Sequence, residues 1–172
     1  PRTETRGAAR TPPPGMPRVF AGRRGADMIR SGVELLAATD DPAGEPGGFA
    51  QMNASLAKLK SPALELMQIH NLVDWRTHLR TLRAWKERKT FRYIGITHYT
   101  VPALDELAAI IRAEPIDFVQ FGYSINVREA ETRLLPLCAE RGVAVIANQP
   151  FDSGGLFGQV GGKVLPEWAG EL

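Results

Sequence analysis

Four short apolar runs recur at intervals of roughly 25 residues from Pro62 onward. Each run is rich in Val, Ile, Leu or Phe and is bounded by polar or turn-forming residues, a pattern that predicts a β-strand. The predicted strands are Leu64–His70, Tyr93–Thr97, Asp117–Phe121 and Val143–Ala147. Because their apolar residues are continuous rather than alternating, both faces of the sheet are expected to be covered.

The segments between these runs carry apolar residues at helical spacing. The predicted helices are 76–88, one that begins after Thr100 with Pro102 in its first turn, and 128–141. Gly142 stands where helices commonly end. Pro136 lies inside the third helix and predicts that this helix is kinked or split.

The first sixty residues have a weaker pattern. Residues 1–17 hold five of the 13 prolines and show no apolar periodicity, which predicts a disordered Arg/Pro-rich head. Further along, we predict a short strand around Val19–Ala21, a weak helix at 29–38, a loop at 40–48 and a short helix at 51–60. The chain is therefore divided into the head, residues 1–17, and one domain, residues 18–172.

Strands that alternate with helices indicate an α/β fold of consecutive right-handed βα units around a parallel sheet. Two architectures satisfy this pattern. One is an open, doubly wound sheet, and the other is a (β/α)8 barrel or part of one. The spacing of apolar residues does not separate them.

Composition and charge narrow the possible functions. A hydrophobic share of 44% with 23% charged residues fits a globular domain. The net charge of +2 is set by the first 30 residues, which contain seven arginines and only two acidic residues, Glu4 and Asp27. The other 142 residues carry a net charge of −3. These arginines are scattered without interleaved aromatic rings, so we expect no nucleic-acid partner.

The expected location follows from what the sequence lacks. It has no apolar stretch of about 18 residues that predicts a membrane span, and no signal-peptide pattern. Its single cysteine, Cys138, is expected in a helix core and gives no reason to place the chain in an oxidising compartment. We expect a cytoplasmic protein with no membrane partner.

Polar residues stand at the end of each predicted strand. They are His70 and Asn71, Thr97 and His98, Gln120, and Asn148 and Gln149. Because active sites of both candidate architectures lie at the carboxyl ends of parallel strands, these groups predict a site for a neutral polar ligand. The same groups could instead cap strand ends and hydrogen-bond loop backbone, and spacing alone favours neither.

Several chemistries are disfavoured by the motifs. The three histidines, His70, His78 and His98, have no metal-ligand spacing, so no metal site is expected. No nucleophile elbow occurs, and neither of the usual glycine-rich nucleotide motifs is present. The glycine pair in the segment DSGGLF, residues 152–157, could bring backbone amides near a phosphate.

Read in order, the strand ends resemble one known family. The segments SLAKL, ALELMQIHN, RYIGITHY, IDFVQFGYS and GVAVIANQPFDSGGLF are similar, in sequence and spacing, to the second half of an aldo/keto reductase of bacterial type. The match covers roughly residues 49–157. It implies a (β/α)8 TIM barrel, here partial, with four to five parallel strands and flanking helices. It also implies an oxidoreductase that reduces aldehydes or ketones with NADPH.

The resemblance implies a role for each matched position. His70 matches the catalytic histidine that orients the substrate carbonyl, and Arg24, in FAGRR, stands in the place of the catalytic lysine. Thr97, His98 and Gln120 match the positions that hold the nicotinamide carboxamide. Asn148 replaces an aromatic residue that stacks on the nicotinamide ring. The loop that wraps the pyrophosphate is matched by Gln149, Phe151, Gly154 and Leu156.

Other family features have no match in this sequence. The family's catalytic Asp and Tyr precede the matched region, and its eighth strand and 2′-phosphate loop follow it. Tyr93, Tyr99 and Tyr123 match no catalytic position. We therefore expect a barrel truncated at both ends, with a weak or partial NADP(H) site, a small carbonyl substrate and impaired activity. The alternative is a non-catalytic binding or scaffold fragment that self-associates through open barrel edges or completes its barrel with a partner.

Overall fold

A computed structural model describes residues 36–39, 44–60, 63–164, 167 and 169. Strands and helices alternate within these ranges. In chain order they are β1 Leu36–Thr39, α1 Gly44–Leu59, β2 Leu64–Ile69, α2 Trp75–Glu87, β3 Phe91–His98, α3 Leu104–Ala113, β4 Phe118–Gly122, α4 Leu134–Arg141, β5 Ala144–Asn148 and α5 Gly155–Val160. Single turns of 3-10 helix at His70–Leu72, Val101–Ala103, Glu129–Glu131 and Asp152–Gly154 lie in the connections.

The five strands form one sheet in the order β1-β2-β3-β4-β5, and every neighbouring pair is parallel. A doubly wound sheet reverses its strand order at a switch point, and this sheet has no such reversal among the described strands. Sequential order with a helix after each strand is the arrangement of a (β/α) barrel wall. The sheet thus decides between the two architectures that the sequence left open.

The two faces of the sheet pack against different partners. Met67, Ile69, Ile94, Ile96, Val119, Phe121 and Val145 belong to a large core shared with the helices. Leu66, Tyr93, Phe118 and Ala144 form a separate apolar cluster with Ile146 packed against it, and no helical residue belongs to this second cluster. Helices α1 to α4 therefore cover one face, α5 adds no residue to either cluster, and the other face is the inner face of the barrel wall.

Most predicted elements are confirmed, with bounds shifted by a few residues. Two expectations in the amino-terminal part are wrong. The predicted loop at 40–48 contains the start of α1 at Gly44, and the end of the predicted helix at 29–38 contains β1. The head at 1–17, the strand at 19–21 and residues 29–35 lie outside the described residues.

The predicted helix at 128–141 is split, as Pro136 suggested, but the break lies before the proline. The 3-10 turn Glu129–Glu131 ends ahead of α4, and Pro136 is the third residue of α4. A proline is tolerated there because the first helical N–H groups have no intrahelical acceptor. Gly142 ends the helix with a φ of 66°, as its position predicted.

Helices α1 and α2 are in close contact at Gly48. A Cβ placed on Gly48 would lie 2.5 Å from Nδ1 of His78, whose side chain is fully buried. Beside this contact, Phe49 meets the ring of Trp85 edge-on at 4.9 Å, and Trp85 stacks on Phe91 at 5.3 Å. The glycine thus lets two helices and the start of β3 share one aromatic cluster.

Two ion pairs connect α2 to the segment between α3 and β4. Asp117, immediately before β4, is paired with Lys86 of α2 and accepts the backbone N–H of Ile94 at 3.0 Å. Arg83 of α2 is paired with Glu114 in the same way. Because the Asp117 side chain is almost fully buried, its pairing with Lys86 offsets a desolvation cost that no exposed pair has to meet.

The space between α1 and α2 can be tested with Gly48→Ala. The new Cβ cannot be accommodated without moving the buried ring of His78, so the free energy of unfolding should fall by about 1–3 kcal/mol in denaturant titrations. Gly158→Ala in α5 is the matched control, because its Cβ meets nothing within 4 Å. There the helix gains up to about 1 kcal/mol from the lost backbone freedom of glycine. Equal effects at both sites would contradict the close packing.

Cys138 offers a second test, because it is buried in α4 as the sequence predicted. Burial raises the pKa of its thiol to about 12, so almost no thiolate exists at pH 8. We expect iodoacetamide to leave the folded chain unmodified and to alkylate the chain in denaturant, as mass spectrometry would show. Rapid alkylation of the folded chain at pH 8 would contradict the burial.

Candidate functional site

The carboxyl ends of the strands meet at one edge of the sheet because all five strands are parallel. Strand β2 ends at Ile69, directly before His70, and β3 ends at His98. Strands β4 and β5 end at Gly122 and Asn148. The polar residues that the sequence placed at the ends of separate strands therefore lie along one edge.

On the inner face, the side chains change from apolar to polar toward this edge. The apolar cluster of Leu66, Tyr93, Phe118 and Ala144 occupies the lower level, by which we mean the part of the inner face nearer the amino ends of the strands. Two residues further along β2 and β4, and four residues further along β3 and β5, alternation brings a polar residue to the same face. We call Gln68, Thr97, Gln120 and Asn148 the polar layer.

Thr97 and Gln120 are the closest pair in this layer by strand register. They are Cα partners across β3 and β4, and Thr97 is buried while Gln120 is half-buried. The Nε2 group of Gln68 donates a hydrogen bond of 2.7 Å to Oε1 of Gln120. A hydroxyl and two amides thus converge on the inner face just below the edge.

His70 begins a strained turn at the same edge. It is exposed, and its carbonyl oxygen accepts the N–H of Val73 at 3.2 Å. Asn71, Leu72 and Asp74 all have left-handed backbones, with φ of 51°, 58° and 40°. Such conformations are costly for residues other than glycine and are concentrated at functional sites. The buried side chain of Leu72 anchors this turn in the core.

His98 is turned away from the polar layer. By alternation it shares a face with Ile94 and Ile96, opposite to Thr97. Its Nδ1 accepts the backbone N–H of Thr100 at 3.2 Å, which assigns the proton to Nε2, and its ring stacks on Tyr99 at 5.6 Å. His98 therefore offers one donor at the edge, where the family's asparagine would offer a donor and an acceptor.

The loop after β5 holds the remaining predicted positions. Gln149 and Gly154 have left-handed backbones, with φ of 54° and 95°. The carbonyl oxygen of Phe151 accepts the N–H groups of Gly154 and Leu156 at 2.9 and 3.3 Å. The ring of Phe151 is 53% exposed and lies 5.1 Å from that of Phe157. The loop is compact and carries an exposed aromatic pair.

Asn148 connects this loop to the sheet. Its carbonyl oxygen accepts the N–H of Tyr123 at 3.0 Å, and its Oδ1 accepts the N–H of Gln149 at 3.0 Å. The loop is also held from the other side, where Nδ2 of Asn126 donates to Asp152 at 3.4 Å. Asn148 therefore supports the backbone at the end of β5 and presents no ring.

Two of the three tyrosines named above, Tyr123 and Tyr93, have partners away from the polar layer. Tyr123 donates its hydroxyl to Glu131 at 2.7 Å, and burial together with this hydrogen bond raises the pKa of Tyr123. Arg128 donates two hydrogen bonds to the same carboxylate and is the main cause of the lowered pKa of Glu131. Tyr93 is buried against Phe118 in the lower cluster.

Gln68 is the residue that sequence reasoning missed. The signal was present, because a glutamine stands in the apolar run LELMQI, two residues before His70. Arg24 lies outside the described residues. Within the described ranges, no group of three His, Cys, Asp or Glu side chains is placed to hold a metal ion, and no helix has the length and apolarity needed to span a membrane.

A cavity of about 430 Å³ lies at the other end of the sheet. Lys86, Glu114 and Asp117 line it, and all three are joined in the ion pairs described above. In barrels of this kind the amino-terminal face of the strands serves stability rather than chemistry. The carboxyl edge of the sheet is therefore a stronger candidate for the functional site than this cavity.

The fold is similar to that of solved aldo/keto reductases. An aldo/keto reductase from Klebsiella pneumoniae, solved with NADP and acetate, superposes with a TM-score of 0.61 at 18% identity over 77% of this chain and 48% of that one. The holo form of an aldo-keto reductase from Bacillus halodurans gives 0.60 at 22% identity, over 77% and 44%. A third, from a deep-sea metagenome library, gives 0.61 at 17% identity, over 80% and 52%.

These matches confirm the expected architecture, a partial (β/α)8 barrel. The chain spans about half the length of the solved proteins that it matches. The sequence model of the aldo/keto reductase family matches residues 48–163, which is more than half of the chain and contains the whole polar layer. The chain belongs to the aldo/keto reductase family.

Proposed function

We propose that this chain contributes the nicotinamide-binding edge of an oxidoreductase that reduces an aldehyde or ketone with NADPH. The observation that carries the proposal is the polar layer, in which Thr97 and Gln120 are neighbours in register at the carboxyl edge. These are two of the positions that family resemblance assigns to the carboxamide of the cofactor. The Klebsiella relative was solved with NADP, which supports the choice of nucleotide.

The donor set fits a carboxamide. That group has one carbonyl acceptor and one NH2 donor, and the hydroxyl of Thr97 and the amide of Gln120 can each donate and accept. When bound, the nicotinamide would supply the hydride. Thr97 and Gln120 would fix the orientation of the ring by hydrogen bonds, and the loop with Gln149, Phe151, Gly154 and Leu156 would hold the pyrophosphate.

His70 and Arg24 are the proposed catalytic contributors of this chain. His70 would donate a hydrogen bond to the substrate carbonyl, and Arg24 would keep a positive charge in the place of the catalytic lysine. Arginine retains the charge but not the compact ammonium geometry. Because the family's catalytic Asp and Tyr match no residue of this sequence, we expect slow turnover by this chain alone.

We expect this chain to bind NADP(H) weakly, because two of the predicted contacts to the nicotinamide are altered. Asn148 has no ring to stack on the nicotinamide, and His98 faces away from Thr97 and Gln120. Two of the contacts that resemblance predicts are therefore altered. The proposal is a partial site for NADP(H), with affinity depending mainly on Thr97, Gln120 and the loop after β5.

Titration of NADPH fluorescence with the full chain tests the binding site. We expect Gln120→Leu to raise the dissociation constant by up to about tenfold, the effect of losing one well-placed hydrogen bond. Gln51→Leu is the matched control, because Gln51 lies in α1, outside the polar layer, and accepts a hydrogen bond from Thr39. An equal loss of affinity in both variants would refute the assignment of Gln120.

The role of His70 is tested by turnover with a reactive aldehyde. We expect slow NADPH oxidation by the wild-type chain, and at least about tenfold less in His70→Ala, because the carbonyl loses its orienting donor. Equal nonzero rates would exclude the assigned role of His70. Absence of turnover in both would contradict the proposed reaction for this chain, and turnover at ordinary enzyme rates would contradict the expected impairment.

A further inference from the structure

Gln68 is a buried polar residue for which the fold alone gives no reason. Its side chain is only 2% exposed, and it lies on the inner face between the apolar cluster and the carboxyl edge. Its Nε2 donates to Gln120, but its Oε1 is buried without a hydrogen-bond partner. A leucine or methionine would fill the same space without a buried unpaired acceptor, at the loss of one hydrogen bond to the half-buried Gln120.

The hydrogen bond between the two glutamines crosses a strand. Gln68 is on β2 and Gln120 is on β4, so their backbones are separated by β3, at a spacing of about 10 Å for two strand intervals. Gly95 is the Cα partner of Gln68 on β3. A Cβ on Gly95 would lie 2.8 Å from the carbonyl oxygen of Phe118 and 3.3 Å from Oε1 of Gln68.

The absence of a side chain at Gly95 therefore permits two close contacts. Its missing side chain lets β3 and β4 lie close together at Phe118, and it leaves space above the strand for the Gln68 amide. Inward side chains of alternate strands meet in layers inside a (β/α)8 barrel, and the space above Gly95 gives the Gln68 amide room for this contact with Gln120.

The hydrogen bond also selects one orientation of the Gln120 amide. A glutamine amide can turn over and exchange its oxygen for its nitrogen. Because Gln68 donates to Oε1 of Gln120, that oxygen is held toward Gln68 and the NH2 group of Gln120 is directed to the other side, where it is left for a ligand. Gln120 is thereby set as a donor, the group that the carbonyl oxygen of a carboxamide requires.

We propose that Gln68 is a positioning residue that sets the amide of Gln120 to donate to the carboxamide of a bound nicotinamide nucleotide. This inference rests on the proposed function, because it assumes that Gln120 contacts the nicotinamide. It adds a residue that is neither at a strand end nor in contact with the ligand. The unpartnered Oε1 of Gln68 is a cost to folding that the positioning role explains.

A positioning role and a structural role predict opposite changes in Gln68→Met. Methionine keeps the length and volume of the side chain and removes the unsatisfied acceptor. If Gln68 positions Gln120, the melting temperature stays the same or rises while nicotinamide recognition weakens. If Gln68 only supports the fold, the melting temperature falls and the affinities for all nucleotides fall together.

The experiment compares NADP⁺ with 2′-phospho-ADP-ribose, which lacks only the nicotinamide ring, by calorimetric titration of the full chain. We expect Gln68→Met to weaken the binding of NADP⁺ by about fivefold to tenfold, the effect of one misplaced hydrogen bond. The affinity for 2′-phospho-ADP-ribose should not change. Met67→Leu is the matched control, because Met67 is adjacent on β2 and packs on the opposite face. It should change neither affinity.

Action through Gln120 is tested with the double variant Gln68→Met, Gln120→Met. If Gln68 acts only by orienting Gln120, the double variant binds NADP⁺ no more weakly than Gln120→Met alone. A further loss in the double variant would overturn the positioning role, because Gln68 would then contribute independently of Gln120. A parallel loss for both nucleotides with a lower melting temperature would also overturn it.

A second measurement separates failure of this inference from failure of the proposed function. If the wild-type chain binds NADP⁺ no better than 2′-phospho-ADP-ribose, the proposed nicotinamide site is wrong. The side-chain amide resonance of Gln120, measured by nitrogen-15 NMR, then decides the pairing itself. A resonance that shifts in Gln68→Met but not in Met67→Leu supports the orientation by Gln68, and an unshifted resonance overturns it.

Discussion

Parallel, sequential pairing of the strands is the constraint on which the rest of this structure depends. Parallel neighbours require a crossover after every strand, and right-handed crossovers in a sequentially ordered sheet carry the helices to one face. The other face is thereby left to strand side chains alone. The same constraint brings the carboxyl ends of all strands to one edge, so residues far apart in sequence, such as His70 and Asn148, share it.

The inner face divides into an apolar level and a polar level, and the division has a clear basis in the alternation of strand residues. Phe118 and Tyr93 pack against each other nearer the amino ends of the strands. Gln120 lies two residues after Phe118 on β4, and Thr97 lies four residues after Tyr93 on β3. The apolar level excludes water from beneath the polar one, which strengthens the hydrogen bonds made there. Gly95 lies between the apolar and the polar level. Because it has no side chain, the backbone of Phe118 can approach closely on one side and the Gln68 amide has space on the other.

Elements with strong periodicity were predictable, and segments rich in proline and glycine were not. The apolar run around Ile94 and the helix containing Leu79 follow from local pattern alone, since each buries a continuous face. The sequence predicts a loop at the start of α1 because Pro46 and three glycines precede the regular part of that helix. Pro46 is the third residue of α1, as Pro136 is of α4, and a proline at that position removes an N–H that has no helical partner. The role of such a proline depends on where the helix begins, which the local sequence does not specify.

By itself, the sequence determined the alternation of strands and helices, the polar character of the strand ends and the family. These are properties of residues close together along the chain or of motifs in a fixed order. Only the tertiary structure decided that the strands are ordered sequentially, that Thr97 and His98 face opposite sides, and that Gln68 reaches Gln120 over Gly95. These contacts depend on strand register and on which strand lies between two others. Glutamines 52 positions apart carry no local signal of their pairing.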